Sequence, residues 1–141
     1  MQTCLVLLVG LPGAGKTTLC QQISQIIEPY HCEVIHVCFD DILTLDIQRE
    51  LAVESTQIGF QTVRKDILGI IGHVIGGAPA SISSTSDSEL HLLLSRFSKK
   101  LSVQFKDVMN KNKNVVIIID DNNYLTSLSD LWRFASPKTS K

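Results

Sequence analysis

The run Gly10-Leu-Pro-Gly-Ala-Gly15-Lys16-Thr17 carries the densest chemistry in this sequence. Glycines, a lysine and a hydroxyl at the spacing G-x-x-x-x-G-K-[ST] suit a polyphosphate. The glycines let successive backbone N–H groups approach phosphate oxygens, the lysine reaches the β- and γ-phosphates, and the hydroxyl ligates Mg2+. On this reading Gly10, Gly13, Ala14, Gly15, Lys16, Thr17 and Thr18 bind the phosphates of ATP, and Thr17 also holds the metal. The alternative is a glycine-rich turn that binds nothing. An apolar strand before the motif and a helix after it weigh against that.

Two pairs of carboxylates close apolar runs elsewhere. Asp120 and Asp121 follow the β-branched stretch Val115 to Ile119, where a carboxylate holds Mg2+ directly or through water. The spacing does not choose between the two, and one of them can simply cap the following turn. Asp40 and Asp41 close the second apolar run, Val34 to Phe39. A carboxylate there can orient an acceptor hydroxyl and take its proton, or it can serve as the N-cap of a helix starting near Ile42.

Other reactive residue types carry less. His31, Cys32, His36 and Cys38 have metal-ligand chemistry, but on an extended strand Cys32 and Cys38 stand ~20 Å apart at ~3.3 Å per residue. One Zn2+ does not bridge that, so His36 and Cys38 read as same-face strand residues. The sequence assigns no role to His73 or His91. The lysines at 99, 100, 106, 111 and 113 could touch RNA phosphate, but a solvated helix face is the favoured reading. A GTPase is disfavoured, because Asn122 and Asn123 stand where a D-x-x-G switch would run and Asn110-Lys111-Asn112-Lys113 lacks the Asp of a guanine-reading element. ATP is the expected nucleotide.

The elements that must position these residues follow from periodicity. Cys4 to Val9 has the length and composition of a buried strand, and a helix starts at Lys16 with apolar positions Leu19, Ile23 and Ile26, ending at Pro29. Val34 to Phe39 is a second strand. From Ser55 to Ile75 the residues Val63, Ile67, Ile70, Ile71 and Val74 keep a helical period until Gly76, Gly77 and Pro79. Ala80 to Ser88 reads as a Ser-rich loop. Ser86 with Glu89 fits a capping box for a helix whose face is Leu90, Leu94, Phe97, Leu101, Phe105 and Val108. Val115 to Ile119 is the third strand. The expected fold is α/β: a P-loop NTPase three-layer arrangement with a parallel sheet and right-handed crossovers. With only three strands evident the sheet looks incomplete, as in the N-terminal part of a larger domain.

Bulk properties are compatible with one such domain. The chain has 141 residues, 44% hydrophobic and 19% charged, which excludes a wholly disordered chain. A formal charge of −1 gives no global argument for nucleic acid, so DNA is not an expected partner and any RNA contact has to be local. No apolar stretch approaches the ~20 residues of a membrane span. Cys4, Cys20, Cys32 and Cys38 form no C-x-x-C pair and read as reduced residues of a cytoplasmic protein.

Taken together, GLPGAGKTT, the FDDIL segment and VVIIIDDNNYLTS resemble the L-seryl-tRNA(Sec) kinase family from about Cys4 to Ser127. The resemblance implies a kinase that uses ATP and Mg2+ to phosphorylate the serine hydroxyl of seryl-tRNA(Sec) on the route to selenocysteine. It implies Lys16 and Asp40 as the catalytic residues, Asp40 being the base on the seryl hydroxyl, and it leaves Thr17, Asp120 and Asp121 as the Mg2+ contacts. The Elongator-associated P-loop ATPases of tRNA wobble-uridine modification share the loop and a similar D-x-N-Y segment; the doubled Asp40-Asp41 favours the kinase. A module that binds nucleotide without turnover is a third reading. The sequence departs from the kinase pattern at Leu128-Ser129, where an Arg usually stands, and no counterpart of the arginine-bearing lid or the tRNA-binding helices is evident. The expected organisation is a nucleotide-binding domain over residues 1–128 and a short polar tail over 129–141, read as an alternative or frameshifted terminus.

Overall fold

The computed structural model describes residues 1–8, 10, 13–53, 57–76 and 88–120, without the side chains of 50–53, 57, 58, 60 and 88. Leu11, Pro12, Ser86, Asp121 and the tail expected over 129–141 lie outside the described residues.

Three strands form a parallel sheet: β1 (Thr3–Leu8), β2 (Cys32–Cys38) and β3 (Asn114–Asp120), in the order β1-β3-β2. Among the described residues, the strand latest in sequence therefore lies in the middle. Its composition fits that place, since Val115, Ile117, Ile118 and Ile119 are all buried, as a strand covered on both faces requires. Register pairs Leu8, Asp120 and Cys38 at one level, so the carboxyl ends of all three strands finish together.

The period-2 alternation divides the sheet into two faces. Ile35, Val37, Val115, Ile117 and Ile119 enter the main core, with Leu5 and Leu7 packed against it. The opposite face carries His36, Ile118 and Asp120. Helix α1 (Lys16–Ile27) lies on that second face and continues into a 3-10 turn, Glu28–Tyr30, at Pro29. On the first face pack α4 (Gln57–Gly76) and α5 (Ser88–Asn110), through Val63, Ile67, Ile70 and Ile71 of the former and Leu90, Leu94, Leu101, Phe105 and Val108 of the latter. The periodicities expected for both long helices hold. The turn from α5 into β3 is a Schellman-type cap. Asn112 has φ 52°, its N–H donates to the Met109 carbonyl, and the Lys113 N–H donates to the Val108 carbonyl.

Two short helices follow β2. Helix α2 (Phe39–Ile42) starts directly at the strand end, and α3 (Leu45–Val53) follows with the Thr44 hydroxyl accepting from the Ile47 N–H at 3.4 Å. The helix that the sequence offers near Ile42 thus begins at Leu45, after Thr44.

The reading of α1 needs correction. Leu19 and Ile26 are 44% and 65% exposed, while Cys20 is buried and Ile23, Ser24 and Ile27 are half-buried. The helix is turned away from its apolar stripe because Thr17 faces the sheet, and the residues in line with Thr17 along a helix are Cys20 and Ser24.

Candidate functional site

The site is built where the carboxyl end of the sheet meets the loop before α1. Gly13 and Gly15 have φ of 79° and 83°, in the left-handed region that a Cβ disfavours. Gly15 is the N-cap of α1, so the loop passes directly into the helix N-terminus, whose first N–H groups have no acceptor within the helix itself. A Cβ on Gly10 would sit 3.7 Å from both Ala14 Cβ and Lys16 Cδ, so Gly10 lies against those two side chains. The Lys16 ammonium donates to the Gly10 carbonyl at 3.0 Å, bending back over that loop. The charge, the turned glycines and the helix terminus thus converge as an anion cradle requires.

At the base of the cradle the Thr17 hydroxyl donates to Asp120 Oδ2 at 2.8 Å. Asp120 is 4% exposed, and a carboxylate so enclosed needs such partners. A hydroxyl and a carboxylate side by side are hard oxygen donors, the set that suits Mg2+. Of the two carboxylates left open by the sequence, Asp120 lies among the described residues and bonds Thr17 at the end of the motif. Asp121 falls outside the described residues.

Asp40 and Asp41 lie in the first turn of α2, and the N-cap position belongs to Cys38, which makes no side-chain cap bond. Neither carboxylate is thus the N-cap of a helix starting near Ile42. Since Cys38 is level with Asp120, both follow directly beyond the level of Asp120. Phe39 is buried beneath them, with the Arg64 guanidinium 5.9 Å from its ring centroid, which anchors α2. Asp41 borders a pocket of about 230 Å³ whose far wall is α5, with Arg96, Lys100 and Gln104 opposite Cys38 and Ile42. Asp40 does not line it.

The remaining residues separate clearly. His36 belongs to the site: its Nε2 lies 3.6 Å from Asp120 Oδ2, on the sheet face covered by α1. The donor atoms of Cys20, His36 and Asp120 all lie within 4.8 Å of one another. Sequence reasoning grouped His36 with Cys38 and missed Cys20; the signal was Cys20's place three residues after Thr17, on the same helix face. Burial pushes the Cys20 thiol up from its ordinary value of 9.0, and the nearby Asp120 and Cys38 add to this. Burial likewise pushes Cys38 up, opposed by the backbone N–H groups of Asp40 and Asp41. Lys111 and Lys113 stand at the opposite end of the sheet, where both approach Glu33, and Lys111 also bonds Asp107 at 2.5 Å. Of the lysine series, only Lys100 borders the pocket beside α2.

No family model matches this chain, and no curated protein or solved structure is a significant match to it. Among the described residues, no helix is long and apolar enough to cross a membrane.

Proposed function

We propose that the chain binds ATP at the loop before α1 and transfers its γ-phosphoryl group to an alcohol, in the manner of a P-loop kinase. The observation that carries this is the 2.8 Å contact between the Thr17 hydroxyl and Asp120. It joins the end of the phosphate-loop motif to a strand-end carboxylate. With the parallel order β1-β3-β2 and helices on both faces, it supports a P-loop NTPase fold.

In this reading the backbone of Gly13 to Thr18 and the Lys16 ammonium hold the phosphates, and Thr17 and Asp120 hold Mg2+. Bound there, Mg2+ would offset the negative charge of the phosphates. Asp40 orients the acceptor hydroxyl and accepts its proton as the O–P bond forms and the bond to ADP breaks. The resemblance to L-seryl-tRNA(Sec) kinases makes the seryl end of seryl-tRNA(Sec) the acceptor we propose, and the cytoplasm the place of action. The lining of Arg96 and Lys100 opposite Asp41 supports an anionic acceptor such as a tRNA end entering beside α2.

The test is transfer from γ-labelled ATP and Mg2+ to seryl-tRNA(Sec), with seryl-tRNA(Ser) and no tRNA as controls. Label on seryl-tRNA(Sec) alone is the expected result. Saturable ATP binding with no transfer to any tRNA would leave a nucleotide-binding module and remove the kinase.

A further inference from the structure

Behind the phosphate loop, α1 and the sheet enclose a second group of donors of different chemistry. Cys20 comes from α1, His36 from β2 and Asp120 from the end of β3, and their donor atoms lie mutually within 4.8 Å. Three elements, of which β3 is far from the other two in sequence, thus bring a thiol, an imidazole and a carboxylate to one point. Cys20 and Asp120 are buried, whereas the His36 side chain keeps 29% of its surface exposed, which leaves a way in from solvent.

We propose that Cys20, His36 and Asp120 form a site for one thiophilic divalent ion of the Zn2+ type, with water as a fourth ligand. Tetrahedral Zn2+ with N and O bonds of ~2.1 Å holds those atoms ~3.4 Å apart. His36 Nε2 and Asp120 Oδ2 already stand at 3.6 Å. The widest separation allowed in the cluster, 4.8 Å, closes to a bonding arrangement with movement of about 1 Å shared among side chains. The donor set also selects the ion. Mg2+ takes oxygen ligands in octahedral geometry, so it has no use for a thiolate and an imidazole, while mixed S, N and O donors suit Zn2+ and Co2+.

This site does not rest on the nucleotide reading, but it uses the same carboxylate. Asp120 Oδ2 both accepts from Thr17 and faces His36, so Zn2+ and Mg2+ would compete for that oxygen.

The test uses Co2+ on the full chain without nucleotide, followed by thiolate-to-cobalt charge-transfer absorption and by displacement with Zn2+. The expected result is one equivalent of Co2+ with a charge-transfer band. The band persists when Cys4, Cys32 and Cys38 are all changed to Ser, and it disappears in Cys20→Ser. His36→Ala weakens Zn2+ at least about tenfold. Because His36 is partly exposed, this variant decides the matter even if Cys20→Ser fails to fold. A wild-type chain with no charge-transfer band, a band that survives Cys20→Ser, or an unchanged Zn2+ affinity in His36→Ala would each overturn the site.

Discussion

Thr17 and Asp120 are 103 residues apart in sequence, and the hydroxyl of one donates to the carboxylate of the other at 2.8 Å. The contact exists because β3 inserts between β1 and β2, which sets its last residue level with the end of β1 and under the first turn of α1. If this pair serves Mg2+, Asp120→Asn keeps an oxygen for Thr17 to bond but loses the charge. The variant should bind ATP alone much as the parent does, while the tightening produced by Mg2+ falls by at least about tenfold. Calorimetric titrations with and without Mg2+ read this directly, and equal Mg2+ dependence in both proteins would dissociate Asp120 from the metal.

The two left-handed glycines make a separate prediction about the loop. Gly13→Ala and Gly15→Ala each place a Cβ at φ near 80°, with strain of roughly 1–2 kcal/mol. No neighbour lies within 4 Å of either added Cβ, so the effect is conformational and not a clash. Urea denaturation should register a loss of that order, together with weakened nucleotide binding. Ala-substituted chains as stable as the parent would mean the loop takes another conformation in solution.

The orientation of α1 is tested by the residues it leaves outside. Leu19→Ser and Ile26→Ser should alter stability by no more than about 0.5 kcal/mol, as surface changes do. Leu94→Ala, at a fully buried position of α5, should cost about 2–5 kcal/mol. A large loss at Leu19 would show that the apolar stripe of α1 is covered.

Cys20 adds a dependence on pH. Its thiol is raised in the folded chain above the 9.0 of the free group, so the unfolded state gives up its proton first. Stability from this group is fully present below pH 9 and is lost as pH rises through the folded value. Melting temperature should therefore fall above pH 9, and less so in Cys20→Ser. Alkylation at neutral pH should spare Cys20 while modifying the exposed Cys4. Rapid modification of Cys20 in the native state would contradict its enclosure.

Much of this arrangement is legible in the residues because strong periodicity and fixed motifs are local properties. The β-branched run ending at Asp120 and the five buried α5 positions from Leu90 to Val108 follow from patterns of 2 and 3.6 residues. The orientation of α1 does not, because the Thr17 contact with β3 overrides the stripe of Leu19, Ile23 and Ile26. Nor does the sequence show that Asp120 reaches Thr17, since that contact depends on the register of β3 between its neighbours. The start of α3 is poorly legible because its signal is a single cap, Thr44, while the carboxylates Asp40 and Asp41 just before it offer a competing cap for a helix near Ile42. The grouping of Cys20 with His36 required knowing that α1 covers the His36 face of the sheet.

The central claim is that the loop from Gly10 to Thr17 is a nucleotide phosphate site. Titrating Mg2+ and ATP into the full chain, beside Lys16→Ala, tests it most directly. The predicted result is saturable binding of one ATP per chain that weakens at least about tenfold in Lys16→Ala, where the ammonium that reaches the β- and γ-phosphates is gone. No saturable binding, or equal affinity in the two proteins, would contradict it.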